Sequence, residues 1–274
     1  MKIDAHQHFW HYEPHKQAWI NDEMAVIRKD FLPQDLQPVL EANGIDGTVA
    51  VQADETEMET GFLTGLSQQY SFIKAVVGWT DLRAENINER LEYYSGFSVI
   101  KGFRHVLQAQ EPSFMLQPAF IRGLAALQAF DYTYDLLLLP GHIPSAIELV
   151  RRFPGQRFVL DHLAKPFIKM GLINEWKHDI QLLASSPNVY CKISGMVTEA
   201  DYNNWKQEDF LPYLDVVVQA FGPKRIMFGS DWPVCLVAAD YSKMMSIAEH
   251  YFSSFSDSEQ ADVFGNNAIA FYQL

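Results

Sequence analysis

Two histidines one residue apart, His6 and His8 in "DAHQHFW", stand within the first ten positions of the chain. On an extended strand alternate side chains leave the same face, so the two imidazoles can converge on one point. Neutral imidazole suits zinc and neighbouring transition ions, at zinc to nitrogen distances of about 2.0 to 2.1 Å. The pair alone is equally compatible with two polar residues on an ordinary strand. A third residue, Asp231 in "FGSDWP", tips the balance, because a carboxylate beside a metal can join the ligands and take a proton from attacking water. Its simpler roles are to cap the next helix or to brace a tight turn.

For Asp231 to reach His6 and His8, the two ends of the chain must meet. Eight short apolar runs supply the means: they start at Ile3, Gly47, Ile73, Val99, Tyr134, Arg157, Val189 and Ile226. Each is rich in β-branched or aromatic residues, as strands buried on both faces are. Between them lie segments with apolar positions three and four apart, such as "LQPVLEANG", "FIRGLAALQAF", "IELVRRFPG" and "FLPYLDVVVQAFGP". Gly44, Gly155 and Gly222 stand where such helices should stop. Strand then helix, eight times over, is the pattern of an α/β fold of the (β/α)8 TIM barrel kind, typically about 250 residues. A doubly wound open sheet would need fewer strands and a glycine-rich phosphate loop after the first, which is missing. Residues 1–274 therefore read as one barrel domain. In a closed barrel the eighth strand adjoins the first, which places Asp231 beside the histidine pair. The segment from Phe9 to about Asp30, with Trp10, His11, His15 and Trp19, is too long for a simple turn and should hang over the C-terminal mouth.

Polar residues gather at the ends of these runs, where a shared polar centre removes the penalty of burying them singly. Gln52, Thr80 and Asp81 end the second and third, Asp161, His162 and Lys165 the sixth, and Lys192 and Ser194 the seventh. His162 should face the mouth. Lys165 should hold a substrate hydroxyl or carboxylate, or else be a solvated loop lysine. Arg104 and His105 leave opposite faces of a regular strand, and His105 is expected to point inward. Trp10, Trp79 and Trp232 each follow a strand end, where an aromatic face packs or stacks on a sugar ring. His142 and His178 are less well placed.

Composition narrows the partners. The formal charge of −13 repels nucleic-acid phosphates and anionic headgroups, and no basic patch offsets it. No apolar run approaches the roughly 20 residues of a membrane span, and the first thirty residues lack a signal-peptide core. The expectation is a cytoplasmic protein with neither a nucleic acid nor a membrane partner. Cys191 and Cys235 form no CxxC pair, in keeping with a reducing compartment. Outer helices of such barrels often pair, so a homo-oligomer is compatible with the chain.

"DAHQHFW", "DFLPQDLQPVL", "KGFRHVLQ", "LDHLAKP", "KISGM" and "FGSDWPV" together resemble the amidohydrolase superfamily, and within it the amidohydrolase-2 branch that contains sugar-acid lactonases. The resemblance runs from Ile3 to about Tyr272. It implies a (β/α)8 fold and a hydrolase that opens an aldonolactone, such as L-fucono- or L-rhamnonolactone, to the free acid. By position it implies His6, His8 and Asp231 as metal ligands, with Asp231 and His162 catalytic. Trp10, Trp79, Arg104, His105, Lys165 and Trp232 would then line the substrate pocket. Two departures bear on the metal. "GFRH" offers no bridging lysine on the fourth strand, so at most one divalent ion, zinc or manganese, is implied. Leu139 stands where relatives place a ligand histidine, so His105 or His142 must substitute or the site is a ligand short. A lactone carbonyl is electrophilic enough for the metal to be inessential. Another reaction of the family (aromatic-pathway lactone or amide hydrolysis, or decarboxylation) is the alternative, and a non-catalytic sugar-binding barrel the third.

Overall fold

The computed structural model describes residues 1–274. Strands β1 (Ile3–Gln7), β2 (Gly47–Val51), β3 (Ile73–Gly78), β4 (Ile100–His105), β5 (Thr133–Leu136), β6 (Phe158–Leu160), β7 (Val189–Ile193) and β8 (Ile226–Phe228) pair in chain order. Every pairing is parallel. The ring closes just beyond β8, where the Asp231 N–H donates to the His6 carbonyl at 2.8 Å and the His8 N–H donates to the Trp232 carbonyl at 2.7 Å. One helix follows each strand: α1 (Pro33–Ala42), α2 (Glu57–Gln69), α3 (Ile87–Ser95), α4 (Pro118–Ala129), α5 (Ile143–Arg152), α6 (Asn174–Ala184), α7 (Gln207–Phe221) and α8 (Tyr241–Phe252). The fold is the expected (β/α)8 barrel. Its strands are apolar because helices cover their outer face while the lumen fills their inner one. No helix is long and apolar enough to cross a membrane.

Helix ends follow local chemistry. Thr56 accepts from the Glu59 N–H at 3.2 Å and Asp240 from the Lys243 N–H at 2.8 Å, capping α2 and α8. Gly44 and Gly222 do follow α1 and α7. Gly155 differs: α5 already stops at Arg152, three residues earlier.

The lower lumen is apolar, built from Ile3, Ala5, Val49, Val77, Val159 and Met227 among others. The C-terminal tail runs through α9 (Asp257–Ala261) and one π-helical turn to α10 (Asn267–Tyr272), which packs Phe271 and Tyr272 against that layer. Pairing in β1 shifts register between Asp4 and Gln7. Asp4 there accepts from Ser230 Oγ at 2.6 Å and from the Tyr241 hydroxyl at 3.0 Å. Burial pushes the Asp4 carboxyl up to about 6. These bonds tie β1 to the turn after β8 and to α8.

The long β1 to α1 connection is clamped at its base. Trp10 and Phe31 exchange two backbone hydrogen bonds, each of 3.0 Å. The Trp10 Nε1–H donates to the Lys29 carbonyl at 2.9 Å. Residues between them form a flap that brings Trp19 to the mouth.

Candidate active site

β6 and β8 are three residues each, so Asp161, His162 and Asp231 lie just beyond regular pairing. Their backbone is unusual: φ is between 50° and 57° at His162, Leu163, Ala164 and Lys165, and 57° at Asp231. A left-handed residue with a Cβ costs about 1 kcal/mol or more. Five such residues sit in the two turns that follow β6 and β8, where the chain is bent so that side chains at strand ends aim at one point.

That point is defined by four side chains. His6 Nε2 and His8 Nε2 are 3.2 Å apart. Asp231 Oδ1 lies 3.4 Å from His8 Nε2, 3.9 Å from His6 Nε2 and 3.8 Å from His162 Nε2. The imidazoles are oriented from behind. His8 Nδ1 is 2.7 Å from the Val51 carbonyl, which only accepts, so Nδ1 carries a proton and Nε2 is turned toward Asp231. His162 Nδ1 meets Ser194 Oγ at 2.8 Å. Burial holds His162 down to about 4, so the ring is neutral near pH 7. Burial opposes ionisation of Asp231, but the neighbouring His162 and a hydrogen bond with His8 outweigh it and hold the carboxyl well below the usual range.

Beneath this mouth lies a closed ionic layer. Lys192 Nζ sits 2.5 Å from Asp135 Oδ2, 3.0 Å from Asp161 Oδ1 and 3.2 Å from His6 Nδ1. Arg104 Nη1 donates to Asp161 Oδ2 at 3.0 Å and reaches within 3.3 Å of His6 Nε2. The Arg104 guanidinium also bonds the Gln52 carbonyl. From α10, the Tyr272 hydroxyl donates to Asp135 Oδ2 at 2.9 Å. Two cations against two carboxylates, all buried, form a neutral platform that fixes His6. Asp161 and Lys192 stand in the stretches "LDHLAKP" and "KISGM" without a role assigned to them, and Asp135 lies in no such stretch; a charge inside an apolar strand is the signal that marks all three.

A cavity of about 270 Å³ opens above, lined by His8, Trp19, Arg104, His162, Lys165 and Asp231 with apolar neighbours. That volume suits a single small ring. The residues expected at the pocket divide. His6, His8, His162, Asp231, Arg104 and Lys165 converge, while three tryptophans and His105 do not. Trp10 is sealed between Trp19 and Phe31, and Trp232 between Phe9 and Phe31. Trp79 packs on His105 in the outer layer. The aromatic ring that faces the cavity is Trp19, on the flap and 44% exposed.

His105 is reversed from expectation, because Arg104 takes the inward position. The imidazole of His105 lies against Trp79, Phe120 and Tyr134, with neither ring nitrogen hydrogen-bonded. Burial lowers it to about 4, so between roughly pH 6.5 and 4 the unfolded chain takes up a proton that the folded one refuses. Stability therefore falls as pH drops through this window. His105→Phe is expected to remove that acid-sensitive part, raising stability at pH 5 relative to pH 8 by a kcal/mol or more. Urea unfolding at both pH values reads it, and an unchanged pH difference counts against this placement.

Two glycines make room for the histidines. A Cβ on Gly229 would stand 2.7 Å from the His6 Cβ, and one on Gly195 would stand 2.7 Å from His162 Nδ1, at a φ of +62°. Gly195→Ala is expected to displace the His162 ring and lower kcat by about 10²-fold, the scale of an ångström-sized misplacement. Steady-state rates check this; kcat within twofold of the unsubstituted protein would show that the ring is not held there.

The donor set accommodates one divalent ion. Ligand atoms at about 2.0 to 2.1 Å from a tetrahedral zinc are separated by a little over 3 Å, and His6, His8 and Asp231 approach one another at 3.2 to 3.9 Å. Neither suggested replacement for the missing fifth-strand ligand is available. His105 points outward, and His142 Nε2 is engaged with the Gln110 carbonyl at 2.9 Å.

The amidohydrolase family profile matches residues 3–274. An L-fucono-1,5-lactonase from Burkholderia multivorans is 39% identical, with the alignment covering 100% of this chain and 96% of that protein. Another from Burkholderia ambifaria is 36% identical over 100% of this chain and 96% of its own. A crystal structure of a Burkholderia multivorans amidohydrolase with bound zinc superposes with a TM-score of 0.97, at 39% identity, covering 100% of this chain and 99% of that one.

Proposed function

We propose that this chain, which belongs to the amidohydrolase family, acts through Asp231 and His162 to open a sugar-acid lactone of the L-fucono-1,5-lactone type. Hydrolysis of a sugar-acid lactone is the activity of its full-length relatives. The observation that carries the residue assignment is the convergence of Asp231 Oδ1 with His8 Nε2 and His162 Nε2 over one small cavity.

Asp231 is ionised and faces the cavity, so it accepts the proton of a water that adds to the lactone carbonyl. With the Ser194 hydroxyl donating to His162 Nδ1, the Nε2–H of that neutral ring donates to the oxyanion that develops. Arg104 at the cavity floor is committed to Asp161 and the Gln52 carbonyl, so it braces the site without adding net charge to it. As the tetrahedral species collapses, the proton on Asp231 passes to the ring oxygen that leaves. A carboxylate held as low as Asp231 surrenders that proton readily, and the counterpart is that it is a weak base. A divalent ion on His6, His8 and Asp231 would acidify a bound water and compensate for this weakness.

The mouth also fits the substrate class. A flat aromatic di-acid calls for cationic clamps, whereas Arg104 is already committed to Asp161 and Gln52. Trp19 offers an apolar face for the C–H side of a sugar ring, and His8 and Lys165 line the same cavity.

Acid release from L-fucono-1,5-lactone, L-rhamnonolactones and an aromatic lactone, followed with a pH indicator, tests the reading. Turnover of the L-fucono compound with little of the aromatic one is expected. Exhaustive chelation, checked by metal analysis, is expected to leave activity within about 10²-fold, because general base and oxyanion donor together supply much of what an activated ester requires. No acid from any sugar lactone, with or without added zinc or manganese, would overturn the proposal.

A further inference from the structure

Resting on the lactonase reading, a second question is how the mouth treats charge. The substrate is neutral, but adding water across the acyl C–O bond frees a carboxylic acid that ionises at neutral pH. Product and substrate therefore differ by one negative charge as well as by the opened ring.

Of the cations lining the cavity, Arg104 is spent on buried partners. Lys165 is the other, and its stem is fixed by the left-handed turn, in which its N–H donates to the His162 carbonyl at 2.7 Å. Left unpaired, it would attract any carboxylate that entered. Glu199, on the short turn after β7, places Oε1 at 4.0 Å from Lys165 Nζ, and both side chains are about three-quarters covered (22% and 23% exposed). Partial burial keeps such a pair from being screened as a surface pair is. Burial and the nearby Asp231 charge push the Glu199 carboxyl up, while Lys165 draws it down. No motif in the chain marks Glu199.

We propose that Glu199 is a specificity-determining residue which neutralises Lys165, so that the mouth accepts uncharged lactones and does not retain carboxylates, including the acid formed by ring opening. With the Lys165 and Glu199 charges cancelled, Asp231 is the remaining charge facing the cavity. The field at the mouth is then neutral to negative, which leaves a neutral ring unaffected and repels its anionic product.

The probes are L-fuconate and its uncharged alditol, L-fucitol, with binding measured by calorimetry on the full chain. Glu199→Gln is expected to tighten L-fuconate about tenfold relative to L-fucitol, the effect of exposing one partly buried charge. Lys165→Met should move that ratio the opposite way, and adding Lys165→Met to Glu199→Gln should cancel the gain. Product inhibition by L-fuconate in the lactone assay should follow the same order. A fuconate to fucitol ratio unchanged by Glu199→Gln, or one equally raised in the double variant, overturns the proposal, as does an absence of binding by both probes to every variant. Calorimetry requires no turnover, so failure of the ring-opening reaction would be seen separately, as absence of acid release by the unsubstituted protein.

Discussion

Asp231→Asn is expected to lower kcat/KM for L-fucono-1,5-lactone by about 10³-fold, within the 10²- to 10⁴-fold range of a positioned general base. The carboxylate is the one ionised acceptor facing the cavity, and burial holds the neighbouring His6 and His162 neutral. Asparagine keeps the shape and loses the proton acceptor. It is also the substitution least disturbing to the backbone, since Asp231 has a φ of 57° and asparagine enters the left-handed region more easily than other branched or bulky residues. The N–H to His6 carbonyl bond that closes the barrel belongs to the main chain and survives. Thermal unfolding should therefore stay within a few degrees while the rate collapses. Initial rates with a pH indicator, paired with calorimetric unfolding, measure both. Activity within tenfold of the unsubstituted protein would remove Asp231 from the role of base.

Lys192→Met is expected to lower the free energy of unfolding by about 3 to 5 kcal/mol, the usual consequence of removing one member of a buried ion pair. Methionine fills nearly the same space, so the loss is electrostatic. Asp161 retains Arg104, but Asp135 is left with only the Tyr272 hydroxyl. Burial already pushes Asp135 up to about 6 against the opposing pull of Lys192, and without that ammonium it moves higher. A carboxyl raised in the folded state binds its proton there first, so its penalty is present above the folded value and vanishes below the unfolded one, near 3.9. The destabilisation by Lys192→Met should hence be larger at pH 8 than at pH 5, and Asp135→Asn in the same chain should relieve part of it. Urea unfolding at the two pH values decides the matter. A loss under 1 kcal/mol at pH 8 would mean that the ionic layer contributes little, and a loss larger at pH 5 would reverse the assignment of Asp135.

The positions of the elements were legible because each is dictated locally. β1, β2, β3 and β7 begin at Ile3, Gly47, Ile73 and Val189, where the apolar runs begin, since a strand covered on both faces has to be apolar along its length. The meeting of Asp231 with His6 and His8 followed from order alone, because a closed eight-stranded ring brings the last strand to the first. Chemistry-bearing residues at strand ends were visible as charge in apolar surroundings, and Arg104, His162 and Lys165 stand at the mouth on that account.

Direction was not legible in the same way. Arg104 and His105 are adjacent, polar and flanked by Phe103 and Val106, so alternation cannot say which of them faces the lumen. The pairing of β4 with β5, which sets Arg104 opposite Asp135, turns the guanidinium inward toward Asp161 and leaves His105 among aromatic rings. Trp10, Trp79 and Trp232 follow strand ends as an aromatic pocket lining would. Even so, the clamp of Trp10 to Phe31 buries the first and presents Trp19 from the flap instead. Local propensity and hydrophobic period act over a few residues and settle where strands and helices begin. The facing of a side chain at a strand end, and the pairing of Lys192 with Asp135 and Asp161, depend on register and close packing between segments tens of residues apart, and these exist only once the barrel has closed.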